Sequence, residues 1–130
     1  MSGNQDKQFG VKRSRTGLGL FAEQSFKKDD FVIEYTGEII QNEEADRRGN
    51  RYIFEISKRR SIDGSTRANT ARYLNHSCNP NCEAEIDGAR VMIYSLRGIK
   101  AGEELTYDYG KEYFEDFIQP VGCRCTSCFA

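Results

Sequence analysis

The chain has 130 residues and a formal net charge of −1, a length that supports one domain with a modest core, or one domain with a small appendage. Near-neutral charge without a basic stripe argues against broad nucleic-acid affinity, and no apolar run is long enough to span a bilayer. Five cysteines, three of them crowded at Cys123, Cys125 and Cys128, do not make the even framework of a secreted disulfide protein and suit thiolate metal ligation better.

Residues 1–8 are polar, carry no signal peptide and read as a disordered N-terminus, so the protein is expected to be soluble and intracellular. Phe9 to Lys12 starts a strand. Gly17-Leu18-Gly19 lacks the third glycine and the following helix of a dinucleotide-binding turn. It marks either a close backbone approach or a bulge between two strands. Lys27-Lys28-Asp29-Asp30 reads as a turn, and Phe31–Thr36 as a strand broken at Gly37, with Glu38-Ile39-Ile40 pairing nearby. Asn42 to Gly49 carries helix signals: Asn42 as cap, acids in the first turn, arginines in the last, and Gly49 as terminator. Arg51 to Ser57 alternates like a strand, and Ser61-Ile62-Asp63-Gly64 ends in a turn. Farther on, Asp87-Gly88 between two strand-like runs marks a hairpin over residues 83–96. Lys100-Ala101-Gly102-Glu103 is another turn, and Glu104–Gly110 a short strand running into a loop. Residues 112–117 are acidic and aromatic, with a helical reading open. Many short strands and one or two short helices predict a mainly β domain.

The densest stretch is Ala71-Arg72-Tyr73-Leu74-Asn75-His76-Ser77-Cys78-Asn79-Pro80-Asn81-Cys82, which holds the chain's one histidine. Its asparagines and serine favour backbone-bonding loops over regular ladders. Such a loop builds a site or a tight crossing of chain segments. A second concentration is acidic: Glu103, Glu104, Asp108, Glu112, Glu115 and Asp116. It reads as a solvated face or as a rim attractive to a basic peptide.

Taken in order, several motifs form a pattern. They are Gly17-Leu18-Gly19, Glu34-Tyr35-Thr36-Gly37-Glu38, Tyr52-Ile53-Phe54, Arg72–Cys78, Gly102–Tyr109 and Cys123-x-Cys125. The set resembles the SET-domain protein lysine methyltransferases with a post-SET cysteine tail. The resemblance covers residues 9–128, with the SET domain at 9–110 and the tail at 111–130. It implies a β-clip-like fold of small curved sheets with a C-terminal pseudoknot, in which a late segment threads beneath an earlier loop. It implies S-adenosylmethionine as methyl donor, contacted by the matching residues Leu18, Gly19, Leu20, Tyr52, Arg72, Asn75 and His76. Tyr52 is then placed between donor and lysine channel, Tyr109 is the catalytic tyrosine, and Tyr107 influences how many methyl groups are added.

Those residue types fit the chemistry. Methyl transfer from a sulfonium to an amine is an in-line displacement, so alignment dominates. The lysine must be neutral, and an aromatic channel desolvates its ammonium and lowers its pKa. Tyrosine rings also accept methylammonium groups while their hydroxyls orient the amine. Tyr35 reads as core. Asn75 and His76 tie backbone together, hold the donor, or do both; His76 is read neither as a base nor as a metal ligand.

The resemblance also implies one structural zinc held by Cys78, Cys123, Cys125 and Cys128, clamping the tail beside the channel. The tail departs from the family pattern, because only Thr126 and Ser127 separate its last two cysteines. Cys82 is the alternative fourth ligand, read in preference as a small buried residue. The expected substrate is a basic tail, histone or histone-like, with mono- or dimethylation favoured by Tyr107. The expected compartment is the nucleus and its chromatin for a eukaryotic source, and the cytoplasm or a secreted effector's destination for a bacterial one. No direct nucleic-acid or membrane partner is expected, and oligomeric state stays open. Two other readings remain: a catalytically weak peptide-binding module on the same fold, and a small zinc module for nucleic acid.

Overall fold

The computed structural model describes residues 9–14 and 17–109. In chain order the elements are β1 (Phe9–Ser14), β2 (Gly17–Ala22), β3 (Phe31–Tyr35), β4 (Glu38–Gln41), α1 (Asn42–Arg48), β5 (Ile53–Glu55), β6 (Arg60–Asp63), a 3-10 turn (Thr70–Tyr73), β7 (Asn75–His76), β8 (Cys82–Asp87), β9 (Arg90–Ser95) and β10 (Glu104–Tyr107). They form three small sheets, ordered β1-β2-β10-β7, β3-β9-β8 and β4-β6-β5. The fold is mainly β, as the sequence predicts. Residues 1–8, expected to be disordered, the acidic and aromatic segment at 112–117 and the cysteine tail lie outside the described residues.

Local chemistry explains most boundaries. In β9 the side chains of Val91, Ile93 and Ser95 alternate inward and are buried. Ser95 tolerates that position because its hydroxyl donates to the Lys27 carbonyl and accepts the Asp30 N–H at 2.9 Å. That bond anchors the predicted Lys27–Asp30 turn, where Asp29 takes a left-handed φ of 70°. Glu43 and Glu44 in the first turn of α1 and Arg47 and Arg48 in its last complement the helix dipole. Gly49, left-handed at φ 57°, ends the helix with its N–H on the Ala45 carbonyl.

Three expectations are corrected. Asn42 is the first residue of α1, and Gln41 holds the cap position without a side-chain bond. The Asn42 amide instead donates to the Ser57 carbonyl at 3.1 Å and accepts the Ser61 hydroxyl at 2.6 Å, tying α1 to the β5–β6 hairpin. The strand expected over Arg51–Ser57 shrinks to Ile53–Glu55. Before it, the Tyr52 N–H turns onto the Asn50 side chain; after it, the Ser57 hydroxyl accepts the N–H groups of Arg59 and Arg60 and closes a turn. In the hairpin of β8 and β9, Asp87 pairs with Arg90, so the two turn residues are Gly88 and Ala89, with Gly88 at φ 63°.

β10 sets the position of the site. Its first half runs antiparallel to β2, with Leu105 opposite Leu20; its second half runs parallel to β7, with Thr106 opposite Asn75 and Tyr107 opposite His76. Asn81 grips its other flank: its amide donates to the Glu104 carbonyl at 2.8 Å and accepts the Thr106 N–H at 2.9 Å. A side chain thus substitutes for a neighbouring strand. Leu20, Leu74, Ile93, Ile99 and Leu105 are almost fully buried in the hydrophobic core, each worth roughly 1.5–3 kcal/mol of burial.

Candidate active site

A cleft of about 1060 Å³ opens where the β1–β2 turn, the segment before β5, the 3-10 turn and β10 meet. Among the residues singled out from sequence, Leu18, Tyr52, Arg72, Asn75, Tyr107 and Tyr109 line it. Gly19, Leu20 and His76 do not. Leu20 is a core side chain with no exposure. A Cβ on Gly19 would lie 2.4 Å from Glu104 Oε2 and 3.1 Å from Asn75 Nδ2, so the close approach foreseen for this glycine is to those side chains.

Asn75 acts as a rivet. Its Nδ2 lies 3.1 Å from the Leu18 carbonyl, 3.2 Å from the Ser14 hydroxyl and 2.8 Å from Glu104 Oε2. The β1–β2 turn is thereby fixed to β7 and β10. Glu104 is thus engaged within the fold. Glu103 is engaged as well, with Arg97 at 3.0 Å and the Lys100 N–H at 2.5 Å. Of the expected acidic rim, two carboxylates serve the structure instead. Glu112, Glu115 and Asp116 lie outside the described residues.

An aromatic file crosses the cleft wall. Ring centroids lie 5.6 Å apart for Tyr35–Phe54, 6.4 Å for Phe54–Tyr107 and 4.9 Å for Tyr107–Tyr109. Tyr35 belongs to the core, as the sequence predicts. The Tyr109 hydroxyl donates to the carbonyl of Leu74, the residue before Asn75. The Tyr109 N–H donates to His76 Nδ1 at 3.1 Å, which assigns the proton to Nε2, itself 3.4 Å from the Cys78 sulfur. His76 is a backbone tie with only 6% of its side chain exposed.

Arg72 lines the same cleft. Its guanidinium carbon sits 4.4 Å from the centroid of the Tyr52 ring and 5.4 Å from that of Tyr73. Nη1 donates to the Ser65 carbonyl at 2.7 Å, while Nε is buried with no hydrogen-bond partner among the described residues. A buried unsatisfied donor is costly, and one on a cleft wall points to a missing acceptor.

The cysteines divide. Cys82 is buried, and that burial pushes its thiol up to about 12, so it is a packing residue. Cys78 is exposed. Among the described residues no group of three His, Cys, Asp or Glu is placed to hold a metal ion; Cys123, Cys125 and Cys128 lie outside them.

Sequence reasoning missed three site-building residues: Asp63, Asn69 and Asn81, all buried. Asn69 bonds the Thr36 N–H and the Gly64 carbonyl, each at 3.0 Å. In sequence each of the three sits in a turn-like setting, before Gly64, before Thr70 and after Pro80, which does not tell a partnered buried polar group from a turn residue.

Residues 17–110 match the family model described as "SET domain". The chain is 42% identical over 122 positions to a histone-lysine N-methyltransferase, H3 lysine-4 specific, of Aspergillus oryzae, covering 84% of this chain and 10% of that one. It is 45% identical over 128 positions to histone-lysine N-methyltransferase 2D of Homo sapiens, covering 88% and 2%. With histone-lysine N-methyltransferase ASHR3 of Arabidopsis thaliana the identity is 40% over 130 positions, covering 90% and 26%. The chain therefore spans about a quarter or less of these three relatives' length.

Proposed function

The chain belongs to the SET-domain family, and from that membership we propose that it is a protein lysine N-methyltransferase acting on a histone or another basic tail with S-adenosylmethionine as donor. The carrying observation is the convergence of Tyr52, Arg72, Asn75, Tyr107 and Tyr109 on one cleft from well-separated stretches of chain. The relatives' names, which specify histone lysine, support the substrate class. The same names support a nuclear, chromatin-associated site of action. No helix among the described residues is long and apolar enough to cross a membrane.

The cleft fits the donor. Arg72 has a buried N–H with no acceptor among the described residues, and Gly17 faces open space at the cleft's edge. When bound, S-adenosylmethionine supplies an electrophilic methyl group on a cationic sulfur. The protein's part is alignment and desolvation. Tyr107, Tyr109 and Phe54 form an apolar wall that disfavours an ammonium, so the lysine enters as a neutral nucleophile. The Tyr109 hydroxyl gives its proton to the Leu74 carbonyl, and a hydroxyl that donates in this way can still accept an amine N–H. Tyr107 is largely buried beside it, and its hydroxyl limits the space around a methylated amine. That favours mono- and dimethylation; Tyr107→Phe is expected to increase trimethylated product, and an unchanged distribution refutes this.

A structural zinc on Cys78, Cys123, Cys125 and Cys128 belongs to the same reading. The His76 Nε2–H directed at the Cys78 sulfur suits a thiolate there, and buried Cys82 makes a poor substitute. The test of function is transfer from isotopically labelled donor to a histone panel, with Tyr109→Phe as control and mass spectrometry to place the methyl group. Donor binding without transfer to any histone or cell extract replaces catalysis with the peptide-binding module.

A further inference from the structure

Asp63 ends β6 behind the cleft wall and lines no part of the cleft. Its side chain is only 8% exposed, a costly place for a carboxylate unless every oxygen is served. It is well served. Arg48 Nη1 donates to Oδ2 at 2.9 Å, the Ser65 N–H donates to Oδ1 at 3.0 Å, and the Asn50 amide lies 3.3 Å from both oxygens. Arg48 is itself held by Glu44 and Glu38 at 2.8 and 2.9 Å.

Two of those contacts lead to the cleft. Along one arm, the Asn50 amide oxygen accepts the Tyr52 N–H at 2.8 Å. Along the other, Ser65 gives its N–H to Asp63 and its carbonyl to Arg72 Nη1. The arms end on the two members of one stack, the Arg72 guanidinium 4.4 Å from the Tyr52 ring centroid. Gly64, between them, closes the loop by donating to the Tyr52 carbonyl at 3.0 Å. The Tyr35 hydroxyl meets that carbonyl too, at 2.5 Å.

We infer that Asp63 is a positioning residue: one buried carboxylate sets both halves of the Tyr52–Arg72 stack, and with them the wall of the proposed donor site. A neutral amide in its place sets an N–H group against the Arg48 and Asn50 donors that the carboxylate accepts. Asn50 and Ser65 then lose their common reference, and the stack loosens from both sides. The inference rests on the proposed donor site for its consequence, but not for its geometry.

The test separates the two. In the ligand-free protein, the Tyr52 ring current is expected to shift the Arg72 Nε–H and guanidinium resonances, assigned with Arg72→Lys. Asp63→Asn should move them toward the exposed-arginine range while the core methyl signals of Leu20 and Ile93 stay in place. In the same variant the dissociation constant for S-adenosylmethionine should rise about tenfold, and combining it with Arg72→Ala should weaken binding no further than Arg72→Ala alone. Should Asp63→Asn fail to fold, Asn50→Ala, which cuts only the Tyr52 arm, decides by the same resonances. Unchanged Arg72 resonances in the folded variant, or additive losses with Arg72→Ala, overturn the positioning role. A parent protein that binds no donor overturns the proposed function and leaves the resonance test to decide the positioning.

Discussion

Replacing Asn81 by alanine tests whether a single side chain holds the strand that carries the tyrosines. The residue is 4% exposed, and its amide makes a 2.8 Å bond to the Glu104 carbonyl and a 2.9 Å bond from the Thr106 N–H. Truncation removes two bonds worth about 1 kcal/mol each and strips the partner from two backbone groups, at about 1–3 kcal/mol each where water does not reach. The expected loss is about 3 kcal/mol, a large part of a small domain's roughly 5–15 kcal/mol. Because β10 contains Tyr107 and leads to Tyr109, methyl transfer should fall even at temperatures where the variant is still folded. Urea midpoints and transfer rates, measured on the same samples, give both readouts. Asn81→Asp sharpens the test. It keeps the acceptor for the Thr106 N–H but turns an oxygen toward the Glu104 carbonyl, so it should cost at least as much as alanine. An Asn81→Asp protein within about 0.5 kcal/mol of the parent refutes the strand-substitute argument.

Other outcomes follow from the same geometry. Tyr109→Phe should lower transfer by about a hundredfold or more, with a stability change of about 1 kcal/mol from the lost Leu74 bond; equal activity in a folded variant ends the catalytic assignment. Burial alone would raise the Asp63 carboxyl, but hydrogen bonds from Ser65, Arg48 and Asn50 outweigh it and hold it at about 2. The folded value lies below the unfolded one, so its stabilisation, about 2 kcal/mol, is present above pH 4 or so and is lost as pH falls toward 2. Denaturation midpoints of parent and Asp63→Asn should therefore converge over that window, and parallel curves count against it. Gly37→Ala should destabilise by about 3 kcal/mol, since its Cβ would lie 2.1 Å from the Asp63 carbonyl oxygen. In thiol alkylation, Cys82 should stay unreacted in the native protein. Cys78 should react faster after a chelator removes zinc, and a rate indifferent to chelation refutes the zinc assignment.

Much of the fold was legible because it is local. The β8–β9 hairpin, the turns at Lys27–Asp30 and Lys100–Glu103, and the charge-ordered helix ending at Gly49 each follow from neighbours in sequence. The tyrosines and Arg72 were legible as an ordered motif set, and the cleft gathers them. What stayed hidden depends on partners far along the chain. Asn42 has the credentials of a cap, yet a better bond to Ser61 across the hairpin takes its side chain. Asn81 resembled its neighbours in an asparagine-rich loop, and only the arrival of Thr106 beside it makes it a strand substitute. Asp63 looked like the first half of an Asp-Gly turn. Its role needs Arg48 on one side and Asn50 and Ser65 on the other, a meeting that periodicity does not encode.

The split pairing of β10 bears on how the chain acquires its shape. Both of its partners precede it in sequence, one strand lying antiparallel and the other parallel, so each half of its pairing joins distant stretches of chain. Contacts of such long range form slowly. Without that strand, Leu20 lacks its cross-strand neighbour Leu105 and the tyrosine pair has no seat. A chain that has not made this pairing is therefore expected to be both sticky and chemically idle, so competence depends on one long-range junction.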